Sequence, residues 1–349
     1  MMSKPLEHEP QPVGRFAPDL QPRLSALLAP IRPMLEEVER ILVEEADSAP
    51  PPLDEMLHHA IAGGKRMRPA VILLLGSLLS GDPDHLAQVA VAVETLHVAT
   101  LIHDDMVDDS PVRRGHETIH VRWSVRDGVL AGDYLLATAA KGIAALEDPQ
   151  LMGVFAEILT TVCIGQIRET HTAPGEIRGL DVYRRDIEAK TASLIAGACE
   201  MAAMTSNGSE AVCMRAREFG KRLGVAFQIT DDVLDFVGNE PRLGKPLGSD
   251  LRQGLLTLPA LLYIDKGGAD DGVLKVIGAD GDRSPEAVAA AIEMIQASGA
   301  IDAALAEAQE QAQAALAILT ELDTPERTGS VALRDALRGL VTYTVSRGR

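Results

Sequence analysis

Apolar residues recur every three or four positions along most of this chain, from Leu20 onward. That spacing places them on one face of a helix. No stretch shows the strict alternation of apolar and polar residues that is typical of a half-buried strand. We therefore predict an all-α protein with a single domain at residues 21–349. Residues 1–20 are rich in proline and polar residues, and they are predicted to form a flexible N-terminal arm.

Glycine and proline divide the helical pattern into segments. Turns are expected in SAPPP, in the glycine pair of GGKRMRP, in SGDPD, in EDP and in NEPRLGKPLG. Ser284 precedes Pro285 and Glu286, an order that predicts the N-cap of a late helix. Because we find neither an internal repeat nor a clear linker, one helical domain is the economical interpretation.

The composition is that of a globular protein with a sizeable core, since 46% of the residues are apolar and 24% are charged. The formal net charge of -18 argues against a nucleic-acid partner, which requires a basic surface. The three cysteines fit reduced thiols better than disulfide bonds. The start of the chain lacks the apolar core of a signal peptide, and runs such as AVILLLGSLL are far shorter than the roughly 20 residues of a membrane span. We expect a cytoplasmic protein without stable membrane insertion.

The segment LIHDDMVDDS gathers four aspartates directly after an apolar run: Asp104, Asp105, Asp108 and Asp109. Asp104 and Asp108 are four residues apart, so on a helix they project from one face, with about 6 Å of rise between them. Like charges this close repel one another, and something must offset that repulsion.

A second segment, FQITDDVLD, repeats the arrangement, with Asp231 and Asp235 on one face and Asp232 beside them. If the fold brings the two segments together, their carboxylates would offer hard oxygen ligands to several Mg2+ ions. Such ions take the rest of their shell from water and phosphate oxygens. The alternative is that each segment is a solvated helix face. The repeated D-D-x-x-D spacing favours the metal site.

The helix that carries the first acidic segment changes from polar to apolar along its axis. Behind Asp104 the same face holds Thr100, then His97 and Leu96, then Val93, each about one turn, roughly 5.4 Å, deeper. A surface helix would instead place its acids opposite its apolar stripe. The order suits a ligand with a diphosphate head and a hydrocarbon tail.

Basic residues stand in short clusters that could complement such a head group. GGKRMRP places Lys65, Arg66 and Arg68 beside a predicted helix start, which suits either an oxyanion site or a solubilising turn. Arg113 and Arg114 follow the first acidic segment, where simple salt bridges with it are the alternative. Two lysines are weaker candidates, Lys190 in AKTASLI and Lys245 in a Gly- and Pro-rich segment.

Taken together, these segments resemble a known family. In chain order they read GGKRMRP, LHVATLIHDDMVDDSPVRRG, AKTASLI, FQITDDVLD and GKPLGSDLRQGLLTLP. This is the order found in the trans-type isoprenyl diphosphate synthases, the polyprenyl synthetase family, and the resemblance spans roughly residues 30–345. It implies a bundle of long helices around a central cavity, with both acidic segments at its mouth. It also implies head-to-tail condensation of isopentenyl diphosphate with an allylic diphosphate (dimethylallyl, geranyl or farnesyl), three Mg2+ ions and a homodimer.

The resemblance implies roles for individual residues. The principal Mg2+ ligands would be Asp104, Asp108 and Asp231, with Asp105, Asp232 and Asp235 in support. The allylic diphosphate would be held by Arg113, Lys190 and Lys245, and isopentenyl diphosphate by Lys65, Arg68, His97 and Arg114. The reacting centre would be lined by Thr191 and Gln228, and the released diphosphate would remove a proton with help from Lys190 and Thr191.

One residue departs from the family pattern. Leu255 in GLLTLP stands where lysine is usual, so one diphosphate contact is missing, and Arg252 is the candidate replacement. Product length in the family depends on side chains upstream of the first acidic segment, and here Ala99 and Thr100 are small. We expect the cavity to continue towards Leu96, which favours geranylgeranyl diphosphate or a longer product.

Three rival functions stay open from the sequence. A class I terpene cyclase shares this fold and ionisation chemistry, although its second metal motif mixes Asn, Ser or Thr with Glu. An all-helical metal phosphohydrolase could use the His103-Asp104 pair, but most of the carboxylates would then be unexplained. Its further ligands would be drawn from His97, His116 and His120. The third is a non-catalytic subunit that modulates another synthase, for which intact acidic segments would be superfluous.

Overall fold

The computed structural model describes residues 21–172, 176–238, 247–267, 272–277, 281–322 and 330–347. Helices account for most of these residues, which confirms the predicted all-α fold. The N-terminal arm at residues 1–20 lies outside the described ranges. It therefore stays a prediction, as does the single domain that follows it.

The long helices α5, α7, α8, α11 and α16 dominate the fold. In chain order the helices are α1 (Gln21–Leu27), α2 (Arg32–Asp47), α3 (Leu53–Ile61), α4 (Met67–Leu78), α5 (Pro83–Val107), α6 (Ile119–Arg122), α7 (Val125–Ala144), α8 (Pro149–Thr170), α9 (Leu180–Ile187), α10 (Ser193–Met204), α11 (Glu210–Val237), α12 (Ser249–Gln253), α13 (Leu258–Asp265), α14 (Gly272–Ile277), α15 (Pro285–Ala297), α16 (Ala300–Leu322) and α17 (Ser330–Ser346). A 3-10 turn (Ala29–Ile31) leads into α2, and a π-helical turn (Glu188–Ala192) joins α9 to α10.

Capping side chains fix the start of several helices. The Ser284 hydroxyl accepts a hydrogen bond from the Ala287 N–H at 3.3 Å, which confirms the predicted N-cap of α15. Asp82 and Asp148 cap α5 and α8 in the same manner, and each is followed by proline at the first helical position. These caps explain why the two helices begin where they do.

One small β-hairpin follows α5, and the sequence pattern did not predict it. Its antiparallel strands are Val112–Arg113 (β1) and His116–Glu117 (β2). The turn residues Arg114 and Gly115 have φ values of 53° and 82°, as a tight two-residue hairpin turn requires. The sequence indicates no strand here because two residues per strand are too few to show an alternating pattern.

Two clusters of buried apolar side chains form the core. The larger takes side chains from α1–α8, α10 and α17, from the first half of α11 and from the second half of α16. The smaller takes them from α9, α12–α15, the second half of α11 and the first half of α16. Since α11 and α16 contribute to both, continuous helices join the two clusters.

Helix α5 runs through the larger cluster, where it packs against α2, α3, α4, α6, α7 and α10. Helices α10 and α11 approach each other closely on glycines of α11. A Cβ on Gly220 would lie 2.5 Å from the Ile195 carbonyl oxygen, and one on Gly224 would lie 2.6 Å from Ala192 Cα. This contact holds α11 against the π-helical turn that carries Lys190 and Thr191.

Among the residues that the structure describes, two single helices are long and apolar enough to cross a bilayer, judged by length and composition alone: Pro83–Val107 (α5) and Pro149–Thr170 (α8). The expectation that every apolar segment is too short was therefore wrong, because a helix keeps a high mean hydropathy when polar residues interrupt its apolar runs. In α5, 72% of the apolar window is buried inside the fold, against 28% in α8. Helix α8 is thus the one with much of its apolar surface uncovered.

Candidate functional site

The first acidic cluster lies at the C-terminal end of α5, where the helix leaves the core. Asp104 belongs to the last turn. Asp108 caps that turn, with its N–H donating to the Asp104 carbonyl oxygen at 2.8 Å. Asp108 keeps helical backbone angles, so the two carboxylates share one face. Asp109, with φ 47°, then turns the chain away from the helix.

The hairpin carries Arg113 back onto this cluster. Arg113 Nε donates to Asp105 Oδ1 at 2.5 Å, and the Asp105 side chain is only 8% exposed. Burial raises the pKa of Asp105, while the positive charge of Arg113 opposes that rise. A charge-assisted hydrogen bond of this kind fixes the position of both side chains.

Lys190 brings a third element to the first cluster. Its ammonium group pairs with Glu169, at the end of α8, and lies within electrostatic range of Asp104 and Asp108. Burial favours the neutral amine, but the surrounding carboxylates outweigh it and raise the pKa of Lys190, so the group stays charged. Burial raises the pKa of Asp104 to about 6, with Lys190 opposing the rise.

A hydrogen-bonded chain crosses from the π-helical turn to α11. Thr191 Oγ1 donates to Gln228 Oε1 at 2.7 Å, and Gln228 Nε2 donates to Asp232 Oδ1 at 2.8 Å. The hydroxyl of Tyr183 on α9 donates to the other Asp232 oxygen at 2.5 Å. Asp232 is 4% exposed, and burial raises its pKa well above the ordinary value. These hydrogen bonds fix the orientation of the Thr191 and Gln228 side chains.

Asp231 and Asp235, the other two aspartates of the second cluster, contact two different segments of the polypeptide. Asp231 Oδ1 lies 3.1 Å from a guanidinium nitrogen of Arg347, whose guanidinium carbon is 4.5 Å from the Phe227 ring centroid. Asp235 accepts a hydrogen bond from the Asp250 N–H at 3.1 Å, near the start of α12. The C-terminal end of α17 therefore returns to the second acidic cluster.

The segment GGKRMRP forms the turn between α3 and α4, and α4 starts at Met67, two residues before Pro69. Lys65 lies within range of Arg347 and Asp231, and burial lowers its pKa to about 8. Arg68 lies within range of Asp231 and Arg114. Arg68 Nε is buried and has no hydrogen-bond partner among the residues that the structure describes, so it is a donor suited to an anionic ligand.

His97 lies on α5 two turns before Asp104 and completes this side of the site. Burial lowers its pKa well below the usual value, and the nearby arginines 68, 114, 113 and 66 lower it further. His97 is therefore neutral at physiological pH and can donate one hydrogen bond without adding charge. Arg114 donates to the Gly63 carbonyl oxygen at 3.2 Å, and this hydrogen bond joins the hairpin to the GGKRMRP turn.

These contacts bring both acidic clusters to one region. Arg68 is within range of Asp231 in the second cluster and of Arg114, and Arg114 is within range of Asp105 in the first. In the described ranges, no three Asp, Glu, His or Cys side chains lie close enough to hold a metal ion by themselves. The carboxylates can supply part of a coordination shell, and a phosphate-bearing ligand would have to supply more of it.

Comparison with known proteins identifies the family. The family model described as polyprenyl synthetase matches residues 50–295, which is more than half of the chain.

The chain belongs to the polyprenyl synthetase family.

Its relatives in that family are polyprenyl diphosphate synthases, and the chain is an enzyme of the same class, a trans-prenyltransferase.

Relatives and solved structures match this polyprenyl synthetase over most of their length. Heptaprenyl diphosphate synthase component 2 of Geobacillus stearothermophilus is 38% identical over 92% of this chain and 98% of the relative. Nonaprenyl diphosphate synthase of Mycobacterium tuberculosis is 35% identical over 91% and 94% of the two chains. A polyprenyl synthase of Caulobacter crescentus, solved with calcium and isoprenyl diphosphate, aligns with a TM-score of 0.86 at 33% identity, over 93% and 98% of the two chains.

Most of the residues singled out from the sequence of this polyprenyl synthetase meet in the region just described. Lys245 is the exception, since it lies outside the described residues. Arg252, the candidate replacement for the missing lysine at Leu255, lies in α12 with a buried Nε that has no hydrogen-bond partner within the described ranges. The functional roles that the resemblance implies for these residues stay predictions.

Four further residues of the site were not among the predicted ones. They are Glu94, Glu169, Tyr183 and Arg347. Only Glu94 gave a signal, because it is an acid inside the otherwise apolar part of α5. The other three lie on elements far from their partners in sequence, so no local spacing could identify them.

The buried carboxylate of Asp104 should cost stability in the metal-free protein. An acid whose pKa is higher in the folded state destabilises the fold above that pKa, and the cost disappears below the unfolded value near 4. We expect Asp104→Asn to raise the free energy of unfolding by about 1 to 3 kcal/mol near pH 7.5 without divalent ions, measured by urea denaturation. The exposed Asp109→Asn is the control and should change it by less than about 0.5 kcal/mol. Equal effects of the two changes would contradict the role of burial.

Proposed function

We propose that this protein is a Mg2+-dependent prenyltransferase that condenses isopentenyl diphosphate head-to-tail with an allylic diphosphate and releases diphosphate. The product would be an all-trans polyprenyl diphosphate. One observation carries the proposal: carboxylates from α5 and α11 meet a group of partly buried cations where the apolar helix α5 leaves the core. A ligand with an anionic head and a hydrocarbon tail matches both parts.

The donor set fits magnesium. It consists of carboxylate oxygens, with Asp104, Asp108 and Asp231 as the principal ligands, and it leaves room in the shell for water and phosphate. When bound, the ions would supply positive charge that stabilises the diphosphate as it leaves. The related Caulobacter structure, which contains calcium and isoprenyl diphosphate, supports a divalent cation beside such a ligand.

Two groups of side chains would separate the substrates. Arg113 and Lys190, beside the first acidic cluster, would hold the allylic diphosphate, while Lys65 and Arg68 would hold isopentenyl diphosphate. The two diphosphates would then lie on opposite sides of the carboxylates, with their hydrocarbon parts towards α5. Preorganised cations of this kind stabilise developing negative charge without reorganising during the reaction.

The hydrogen-bonded side chains of Thr191, Gln228 and Asp232 would act at the reacting centre. Because Thr191 donates its hydroxyl proton to Gln228, the lone pairs of the Thr191 oxygen stay available to face an allylic carbocation. The alkene of isopentenyl diphosphate would attack that cation. The released diphosphate would then accept the departing proton, with Lys190 and Thr191 holding it in place.

The direct test is turnover by the purified chain. With Mg2+, isopentenyl diphosphate and each allylic primer in turn, we expect chain-extended products and diphosphate release. Asp104→Ala should lower kcat by at least about 100-fold, because part of the metal shell is lost. Asp84→Ala, at the opposite, exposed end of α5, should leave turnover unchanged. Consumption of geranylgeranyl diphosphate alone would instead favour a cyclase, phosphate release from nucleotides a phosphohydrolase, and complete inactivity a modulating subunit.

Product length is proposed to exceed fifteen carbons. Ala99 and Leu96 are 0% and 1% exposed and lie one to two turns below the acidic cluster, and Ala99 is too small to block a hydrocarbon chain there. The names of the heptaprenyl and nonaprenyl relatives favour a long product. Geranylgeranyl diphosphate or a longer chain is therefore the expected product.

A bulky side chain at this depth should shorten the product. In Ala99→Phe, the ring would occupy the space next to α5 that the growing chain needs, so shorter products should accumulate. Mass analysis of dephosphorylated products measures the shift, and Ala99→Leu should give an intermediate length. An unchanged distribution in a folded, active variant would place the limit on chain length elsewhere.

We also propose that two copies of this chain associate through α7 and α8. Exposed apolar side chains on these adjacent helices are Val125, Val129, Leu130, Tyr134, Ile164 and Ile167. An exposed apolar patch of this kind is a surface that a second copy can cover in a homodimer. This occupant is favoured over a membrane because α7 and α8 place their apolar side chains among acids and basic residues such as Asp133 and Lys141.

A charge placed in the proposed interface on α8 should prevent the association of two copies. The wild-type chain should have a solution mass of about twice 37.2 kDa, and Ile164→Glu with Ile167→Glu should reduce it to that of one chain. Met214→Glu, an equally exposed site on α11, is the control and should leave the mass unchanged. A monomeric wild type would contradict the proposal. It would then point to a separate partner, as the relative named component 2 suggests.

A further inference from the structure

The middle cation of the GGKRMRP turn is held differently from its neighbours. Arg66 Nε and one terminal nitrogen donate to the two carboxylate oxygens of Glu39 at 2.6 and 3.0 Å. The same terminal nitrogen also donates to the Ile61 carbonyl oxygen at 2.7 Å, and the other donates to Glu94 Oε1 at 3.0 Å. Four hydrogen bonds to three partners leave this guanidinium little capacity for a ligand.

These partners tie the turn to three separate helices. Glu39 lies on α2, Ile61 ends α3 and Glu94 lies on α5, one turn before His97. The Glu94 side chain is 3% exposed and the Arg66 side chain is 10% exposed, so their ion pair is shielded from water. An ion pair shielded from water fixes geometry more firmly than an exposed one.

The backbone conformation at Arg66 is one that the surrounding contacts have to stabilise. Arg66 has φ 47°, a left-handed conformation that is uncommon for a residue with a side chain, and its carbonyl oxygen accepts the first hydrogen bond of α4, from the Ala70 N–H at 2.9 Å. Lys65 precedes this residue and Arg68 is two positions after it. A change of backbone angle at Arg66 would therefore move both neighbouring cations.

We propose that Arg66, held by Glu39 and Glu94, is a positioning residue for the isopentenyl diphosphate subsite. It sets the turn so that Lys65 and Arg68 face the diphosphate, and it does not contact the ligand. Glu94 adds a buried negative charge within range of Arg68 and Arg114, which limits the repulsion among these cations before a diphosphate binds. The inference rests on the proposed function, because it assigns the positioning role to one of its two substrate sites.

The test is a separation of the two Michaelis constants. In Arg66→Gln, Lys65 and Arg68 lose their fixed geometry, so the KM for isopentenyl diphosphate should rise about 10- to 100-fold. The KM for the allylic diphosphate and kcat at saturation should stay within about threefold. The control is Arg40→Gln on the same helix as Glu39, where the arginine pairs with Glu37 and Glu44 on the surface; it should change none of these values. A merely structural role would raise both constants together, and that result would overturn the proposal.

Two partner variants keep the proposal testable if Arg66→Gln fails to fold. Glu39→Gln alters the more exposed partner, and Glu94→Gln removes the buried charge while keeping an oxygen acceptor. Each should raise the KM for isopentenyl diphosphate by a smaller factor, and Glu94→Gln combined with Arg66→Gln should be no worse than Arg66→Gln alone. Unchanged constants in both single variants would overturn the positioning role.

The failure of the proposed function can be told apart from the failure of this inference. If the wild-type chain transfers no prenyl group with any primer, the proposed function is wrong. Binding of inorganic diphosphate by calorimetry then replaces kinetics. Weaker binding in Arg66→Gln, with Arg40→Gln unchanged, would support a positioning role at an anion site, whereas equal binding in all three proteins would overturn it.

Discussion

The structure depends on balancing charges that are buried together at the end of α5. Partial burial raises the pKa of Asp104 to about 6, with Asp108 adding to the rise, and it lowers the pKa of Lys65 to about 8, with Arg347 adding to the fall. In each case an opposite charge limits the shift, since Lys190 opposes the rise of the Asp104 pKa and Asp231 opposes the fall of the Lys65 pKa. The fold therefore has to hold α5, α11 and the GGKRMRP turn close together. Because it leaves their charges only partly neutralised, a charged ligand can still bind there.

The ion pairs of the site divide into two kinds. Some use a side chain that the proposed reaction needs, such as Arg113 with Asp105, and the substrate would compete for these. Others, above all Arg66 with Glu94, use side chains that face away from the ligand and can stay unchanged through a turnover. Side chains of the first kind would supply charge to the ligand, and those of the second kind keep them in position. This division explains how one short turn can carry three cations with different roles.

The sequence predicted the features that arise from local periodicity. The all-α fold, the shared faces of the aspartate pairs and the N-cap at Ser284 all follow from the spacing of a few residues. It could not predict partners that only the fold brings together, such as Tyr183 with Asp232, which are 49 residues apart. Nor could it separate Arg66 from its neighbours, because the direction of each side chain depends on a left-handed backbone angle that arginine rarely adopts.

Helix α5 explains why this site opens at one end of the fold. Its polar and apolar residues follow one another along the axis, so no side of the helix is suited to solvent, and neighbouring helices enclose it up to Ala99. The acids can then be reached only where the helix ends, at Asp104 and beyond. The proposed substrates would place their charged end at the mouth and extend their apolar part back along the axis. In the proposed reaction, depth along α5 would then measure hydrocarbon length, and a single side chain on that path would set where growth stops.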